Sequence, residues 1–268
     1  MVGLVVFMSD FGSSDPYVGI VRGIIEKIGY GKVKVVDLTH DIPAFNIVAT
    51  AYVLYTSYRY FPENSVFLVV VDPGVGTERK PIAIKTKNYF FVGPNNGVLF
   101  PAASSDGIIE VRSINNDAFF VKPVSKSFHG RDIFAPAATL LALGVPFESV
   151  GEPLSLDELE KIELVEKCYE GHIKAKVVYI DHFGNIALGL ERDCRETICR
   201  DRDYVYIKAG EKLVKAKCLP VFSQADKGEL VFYINSLGFP ELAVNQGSAA
   251  DILGVNIGDC ILLVREYS

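Results

Sequence analysis

Ser65-Val66-Phe67-Leu68-Val69-Val70-Val71 runs straight into Asp72-Pro73-Gly74-Val75-Gly76-Thr77-Glu78-Arg79, and this junction decides the fold. A nearly unbroken apolar run of this length, closed by a turn-forming cluster, reads as a β-strand covered on both faces. Such strands belong to parallel sheets held between helices. Upstream, 4–7 reads as a strand, 17–28 as a helix closed by Gly29 and Gly31, 34–38 as a strand and 46–60 as a long helix. Downstream, 81–85, 89–92 and 108–111 read as strands, and 132–143 as a helix ending at Gly144. Strands and helices alternate, so the first part of the chain reads as an α/β layer with a mostly parallel sheet.

The pattern changes near Gly151. Residues 152–161 are acidic and polar and read as a connection with one helical turn. Beyond them the elements are short and strand-like, at 172–180, 186–188, 204–207, 230–234 and 260–265, with polar turns at 201–203, 209–211 and 225–228. That spacing indicates an all-β unit, a barrel or a sandwich. The domains expected are an α/β N-terminal domain over 1–155, a linker over 156–170 and a C-terminal β domain over 171–268.

Composition narrows the function. The 268 residues carry a net charge of -6. Acidic and basic residues balance over 1–150, so the whole excess falls on the remainder. A surplus of acid argues against nucleic-acid binding, which needs Lys and Arg to neutralise phosphates. No apolar stretch is long enough to cross a membrane, and the apolar start of the chain lacks the basic lead and length of a signal peptide. All five cysteines lie after position 167, at 168, 194, 199, 218 and 260. An odd count without such a signal suggests reduced, structural or inert thiols in the cytoplasm; Cys194 and Cys199 are close enough in sequence to suggest a pair.

Chemistry in open α/β sheets sits beyond the carboxyl ends of strands. Ser9-Asp10-Phe11-Gly12, the Asp72–Arg79 segment, Gly93-Pro94-Asn95-Asn96-Gly97 and Phe128-His129-Gly130-Arg131-Asp132 hold such positions. Asp10 reads equally as a turn cap and as an acceptor for a ribose diol. Gly74 and Gly76 fit a turn or a phosphate nest. Asp72, Arg79 and His129 together can hold and polarise a water, although each alone fits an ordinary structural role. Asp181-His182-Phe183-Gly184-Asn185 by itself is a hairpin turn. His40 and Asp41 lack a second pair at metal-ligand spacing, so His40 reads as a helix-start or core residue, and no metal site is expected.

Taken in order, these segments resemble the S-adenosylmethionine hydrolase family, the S-adenosylmethionine hydroxide adenosyltransferases, relatives of the fluorinating and chlorinating enzymes. Further carriers are Val36-Asp37-Leu38-Thr39-His40-Asp41-Ile42-Pro43, Asn235-Ser236 and Asn245-Gln246-Gly247-Ser248-Ala249. The resemblance implies a seven-stranded α/β domain followed by a β-barrel, in a cytoplasmic homotrimer with sites at subunit interfaces. It implies hydrolysis of S-adenosyl-L-methionine to adenosine and L-methionine, without metal or cofactor. Asp72, Arg79 and His129 match the water-activating triad and Asp10 the ribose acceptor. Phe45 and Phe128 match the substrate pocket, and Phe183, Asn185, Phe222 and Ala249 the adenine surroundings. Asp181 and Ser236 match groups that hold the methionine end. Phe45 stands where the halogenating relatives carry Trp, Gly130 where the fluorinating one has a halide-binding Ser, and Leu237 where those relatives have Arg. An adenosine or S-adenosylmethionine binding module without turnover is the alternative expectation.

Overall fold

The computed structural model describes residues 3–168, 173–200 and 202–264. His172, Asp201 and Arg265, which the sequence places in two strands and a turn, lie outside the described residues. The chain divides into two compact units, Met1–Ile162 and Glu163–Ser268.

The first unit is built from β1 (Gly3–Ser9), α1 (Tyr17–Gly29), β2 (Val33–Thr39), α2 (Ile47–Ser57), β3 (Val66–Val70), β4 (Pro81–Thr86), β5 (Phe90–Pro94), α3 (Phe100–Asp106), β6 (Ile108–Ser113) and α4 (Ala135–Ala142). Its sheet runs in the order β2-β1-β3-β5-β4-β6. β1, β2, β3 and β5 are parallel, and β4 is antiparallel to both its neighbours. Every residue of β3 is buried. On one face Leu68 and Val70 join a core with Val21 and Ile25 of α1 and Ala137 and Ala138 of α4. On the other, Phe67 stacks on Phe91 at 5.2 Å, and Tyr89 meets both rings edge-on. Cover on both faces is what a continuous apolar strand demands, because each exposed apolar side chain forfeits about 1.5–3 kcal/mol of burial.

The α/β class and the mostly parallel sheet stand as expected, but six strands are described where the resemblance implies seven. Residues 152–154 run along the open edge of β6: the Ser113 amide donates to Glu152 O at 2.9 Å and the Leu154 amide to Val111 O at 2.8 Å. Only one bridge forms there, between Arg112 and Pro153. Pro153 holds the non-hydrogen-bonded position of that pair, so its missing amide faces away from β6. The helical turn expected within 152–161 is a single hydrogen-bonded turn, from the Glu158 amide to Ser155 O.

The second unit contains β7 (Ile173–Ile180), β8 (Ile186–Leu188), α5 (Cys194–Cys199), β9 (Tyr204–Ala209), β10 (Lys212–Cys218), β11 (Leu230–Ile234), β12 (Pro240–Val244), α6 (Ala249–Leu253) and β13 (Cys260–Val264). Seven strands close into a barrel in the order β10-β11-β12-β8-β7-β13-β9. Val177, Ile186, Ile207, Phe232, Leu242 and Ile261 fill its interior. Closure removes the unpaired edges that an open sheet of this length would expose.

The cysteines depart from expectation. Cys168 is bonded to Cys194 and Cys199 to Cys218, leaving Cys260 free and exposed. Cys194 and Cys199 do not pair with each other, because they are the two ends of one short helix, α5. Each points to a different partner, so the two bridges clamp that helix at both ends. Among the described residues no helix is long and apolar enough to cross a membrane.

Candidate active site

The carboxyl ends of β1 and β3 set the first half of the site. β1 ends at the buried Ser9, whose Oγ lies 2.8 Å from His40 Nδ1. His40 Nε2 lies 3.3 Å from Asp37 Oδ1, an ion-pair distance without hydrogen-bond alignment. His40 therefore ties the ends of β1 and β2 together. The next residue, Asp10, accepts the Phe45 amide on Oδ2 at 2.8 Å. Phe45 is held at φ 62°, a left-handed conformation rare for a bulky residue, and its ring is 68% exposed. Both readings of Asp10 thus have a physical basis: one oxygen anchors a loop, and the carboxylate still lines a cavity.

Asp72 follows directly on β3. Arg79 grips it with both arms, Nε to Oδ1 at 3.1 Å and Nη2 to Oδ2. The same Nη2 lies 3.1 Å from His129 Nδ1. The Asp72 and Arg79 side chains are only 6% and 7% exposed. Arg79 also packs over the Phe134 ring at 5.2 Å, and its Nη1 is buried without a hydrogen-bond partner among the described residues. The turn between the pair decides the glycine question. The Val75 amide bonds Asp72 O, and the Thr77 amide and hydroxyl both bond Gly74 O. These bonds give the segment the form of a turn. Gly76 is required at φ 77°, where a Cβ would meet Lys126 O at 2.5 Å.

His129 arrives on a loop that Asp132 organises. Asp132 is fully buried and accepts the Ser125 amide at 2.8 Å and two Arg131 donors at 2.6 and 2.8 Å. A π-helical turn, Gly130–Phe134, then leads into α4. Gly130 lies so close to β3 that a Cβ would meet Val70 Cγ1 at 2.8 Å. Phe128 packs edge-on against Phe11 and Tyr17, at 5.9 and 5.5 Å. Sequence reading did not single out Tyr17 or the organising role of Asp132; the only signal was their place beside the Asp10 and His129 motifs.

Asp10, Phe45, Asp72, Phe128 and His129 line one cavity of about 280 Å³. Burial pushes the Asp72 carboxyl above the usual carboxylate range, against the opposing pull of Arg79 and His129. Burial, then the charge of Arg79, hold the His129 imidazole below its ordinary value. His129 is therefore neutral at neutral pH. Since a guanidinium can only donate, Nδ1 is the acceptor and the ring proton resides on Nε2. A buried carboxylate and a neutral imidazole facing one cavity, both held by a fixed cation, can orient and polarise a water.

The remaining candidates lie in the second unit. Asp181 organises its own turn: Oδ1 accepts the Phe183 and Asn185 amides, each at 2.9 Å, and Oδ2 accepts Asn185 Nδ2 at 2.8 Å. Gly184 seats this hairpin on α6. The Ala250 amide donates to Gly184 O at 3.0 Å, and a Cβ on Gly184 would meet Ser248 Oγ at 2.2 Å. Phe183, Asn185 and Ala249 are brought together in this way, with Phe183 74% exposed and Ala249 buried. Phe222 meets Tyr233 edge-on at 6.0 Å. Ser236 sits in a turn between β11 and β12, and Leu237 beside it is 41% exposed. Among the described residues no three His, Cys, Asp or Glu side chains group as metal ligands.

Comparison with known proteins covers both units. The model of the SAM hydroxide adenosyltransferase N-terminal domain matches residues 5–151, and that of the SAM hydroxide adenosyltransferase C-terminal domain matches residues 175–262. An (R)-S-adenosyl-L-methionine hydrolase of Salinispora tropica is 36% identical over 257 residues, 94% of each chain. A fluorinase of Actinopolyspora mzabensis is 27% identical, over 98% of this chain and 97% of its own. The crystal structure of an uncharacterized conserved protein from Thermotoga maritima superposes with a TM-score of 0.89 at 38% identity, covering 97% of this chain and all of that one.

Proposed function

The chain belongs to the SAM hydroxide adenosyltransferase family, and from that premise we propose that it hydrolyses S-adenosyl-L-methionine to adenosine and L-methionine. The observation that carries the reading is the buried Asp72–Arg79–His129 cluster opening on the same cavity as Asp10.

The leaving group is a neutral thioether departing from a sulfonium, so it needs no acid. The difficulty is the nucleophile, because water is weak. With His129 Nδ1 engaged by Arg79 and Nε2 protonated, the imidazole donates to the water and orients it. The Asp72 carboxylate, made more basic by burial, accepts its proton. Arg79 carries a permanent charge directly behind Asp72 and His129, and its field stabilises developing hydroxide. The oxygen attacks ribose C5′ as the C5′–S bond breaks, and the proton passes from Asp72 to solvent. Asp10 accepts from the ribose hydroxyls, and the faces of Phe45 and Phe128 offset desolvation of the sulfonium by about 0.5–2 kcal/mol. A side chain at position 130 would meet Val70, so that position offers backbone and no hydroxyl for a halide.

In this reading Phe183, Asn185, Phe222 and Ala249 receive adenine, and Asp181 and Ser236 receive the methionine end. The assembly is a homotrimer in which the N-terminal unit of one subunit and the C-terminal unit of its neighbour complete each site. The large exposed rings of Phe45 and Phe183 support a covering partner; sedimentation equilibrium at three times the chain mass tests it. The compartment we infer is the cytoplasm. Disulfides are uncommon there except in hyperthermophiles, so alkylation in a fresh lysate of the source cells tests that part. No cofactor or metal is required, and turnover is expected to persist in EDTA. Incubation with S-adenosylmethionine should release adenosine and methionine in equal amounts; no product above the enzyme-free control overturns the reading.

A further inference from the structure

Glu241 is a buried carboxyl that the mechanism above does not use. It lies on β12, is 7% exposed, and accepts the Tyr233 hydroxyl on Oε1 and Asn235 Nδ2 on Oε2 at 2.7 Å. Asn235 is thereby fixed by its amide nitrogen. Its Oδ1 then collects the amides of Leu237 and Phe239, each at 3.0 Å. Its backbone closes the same turn, donating to Phe239 O at 2.9 Å and accepting the Gly238 amide at 3.0 Å. Ser236 lies inside this loop, so its place is set by a chain of contacts that begins at Glu241.

We propose that Glu241 is a positioning residue for the amino-acid end of the substrate, acting through Asn235 on the turn that presents Ser236. This rests on the functional reading above. A purely structural role accounts poorly for the residue. Burying a carboxyl on a barrel wall is unfavourable compared with an apolar side chain of the same size. Asp181, the other residue matched to the methionine end, adds to the difficulty, since its charge and the burial both disfavour ionisation of Glu241. The chain from Tyr233 through Glu241 to Asn235 leaves both Glu241 oxygens occupied, so its influence is indirect.

The test uses the full-length protein with Glu241→Gln and Asn235→Ala. Glu241→Gln keeps the shape but removes the carboxylate: an amide oxygen can still accept from Asn235 only if the Tyr233 hydroxyl turns from donor to acceptor. KM for S-adenosylmethionine is expected to rise about tenfold, the loss of one charge-assisted contact, while kcat changes less than about threefold. Adenosine, which lacks the methionine moiety, should bind within about twofold of wild type by calorimetry. Asn235→Ala should give a similar KM, and the double variant no more than the larger single effect, because the residues share one path. An unchanged KM in either single variant overturns the proposal. So does an adenosine affinity that falls by the same factor, which signals general damage to the barrel. If Glu241→Gln does not fold, Asn235→Ala at the solvent-side turn decides by the same measurements. Wild-type protein that binds S-adenosylmethionine without cleaving it defeats the functional reading instead, and the dissociation constants of the same variants then test the turn.

Discussion

Asp72 stands under two opposing influences: burial favours its neutral form, while Arg79 favours the carboxylate. Burial prevails in direction, and this makes Asp72 a better base than a free carboxylate while Arg79 keeps it oriented. Asp72→Asn should lower kcat about 10²–10⁴-fold, the usual weight of a general base, and leave adenosine affinity intact because Asp10 is untouched; comparable turnover would refute the role. The pH dependence follows from the same residues. Activity needs Asp72 ionised and His129 neutral. Asp72 titrates above the ordinary value of about 3.9 and His129 below about 6.5. Both gain protons as pH falls, so kcat should decline on the acid side, with the limb shifted above that of a free carboxylate because burial raises Asp72. A kcat that rises as the pH is lowered would contradict these two roles. At this scale the residue types were legible in the sequence. Their meeting was not, because His129 is fifty residues from Arg79 and reaches it only through the Asp132-organised loop.

The elements show where local rules hold and where packing overrides them. The helix expected over 46–60 is α2 plus a short 3₁₀ turn, Tyr58–Tyr60, and Asn46 caps it by accepting the Ala49 amide at 2.9 Å. α1 ends differently from expectation. Gly29 remains helical and packs against Val33, where a Cβ would come within 3.2 Å, and Tyr30 takes the left-handed position at φ 47°. The glycine is there for close approach, and the helix end falls to its neighbour. α3 was not read from the sequence, being a short segment whose Pro101, Ala102 and Ala103 are buried by contact with the sheet unit. In the second unit the 181–185 hairpin depends on Gly184, at φ 83° against Ser248. Gly184→Ala combines an unfavourable backbone with a collision against the Ser248 side chain, at 2.2 Å from its Oγ. It should lower stability by about 1–3 kcal/mol and weaken adenosine binding, whereas Asp72→Asn should not; thermal unfolding and calorimetry on both variants separate these effects.

At the scale of the molecule, two architectures share one chain. The six-stranded sheet ends at β6, along which residues 152–154 form a single bridge, and the barrel unit carries both disulfides. Each bridge closes a loop of moderate length and is expected to contribute about 3 kcal/mol by restricting the unfolded chain. Alkylation without reductant should label one thiol, Cys260, and five after denaturation and reduction; labelling of all five without reductant would remove both bridges. Reduction should then lower the unfolding temperature of the barrel unit. The sequence by itself determined the two classes of architecture, since a continuous apolar strand needs cover on both faces and short alternating strands need closure. It also carried the ordered motifs that mark the family. Only the tertiary structure decided which cysteines pair, that Arg79 joins Asp72 to His129 beside one cavity, and that Glu241 accepts from Asn235 at the turn of Ser236. The physical reason is range: periodicity and turn chemistry act over a few residues, whereas a disulfide, a buried ion pair or a carboxyl–amide contact exists only when the fold brings distant residues within bonding distance.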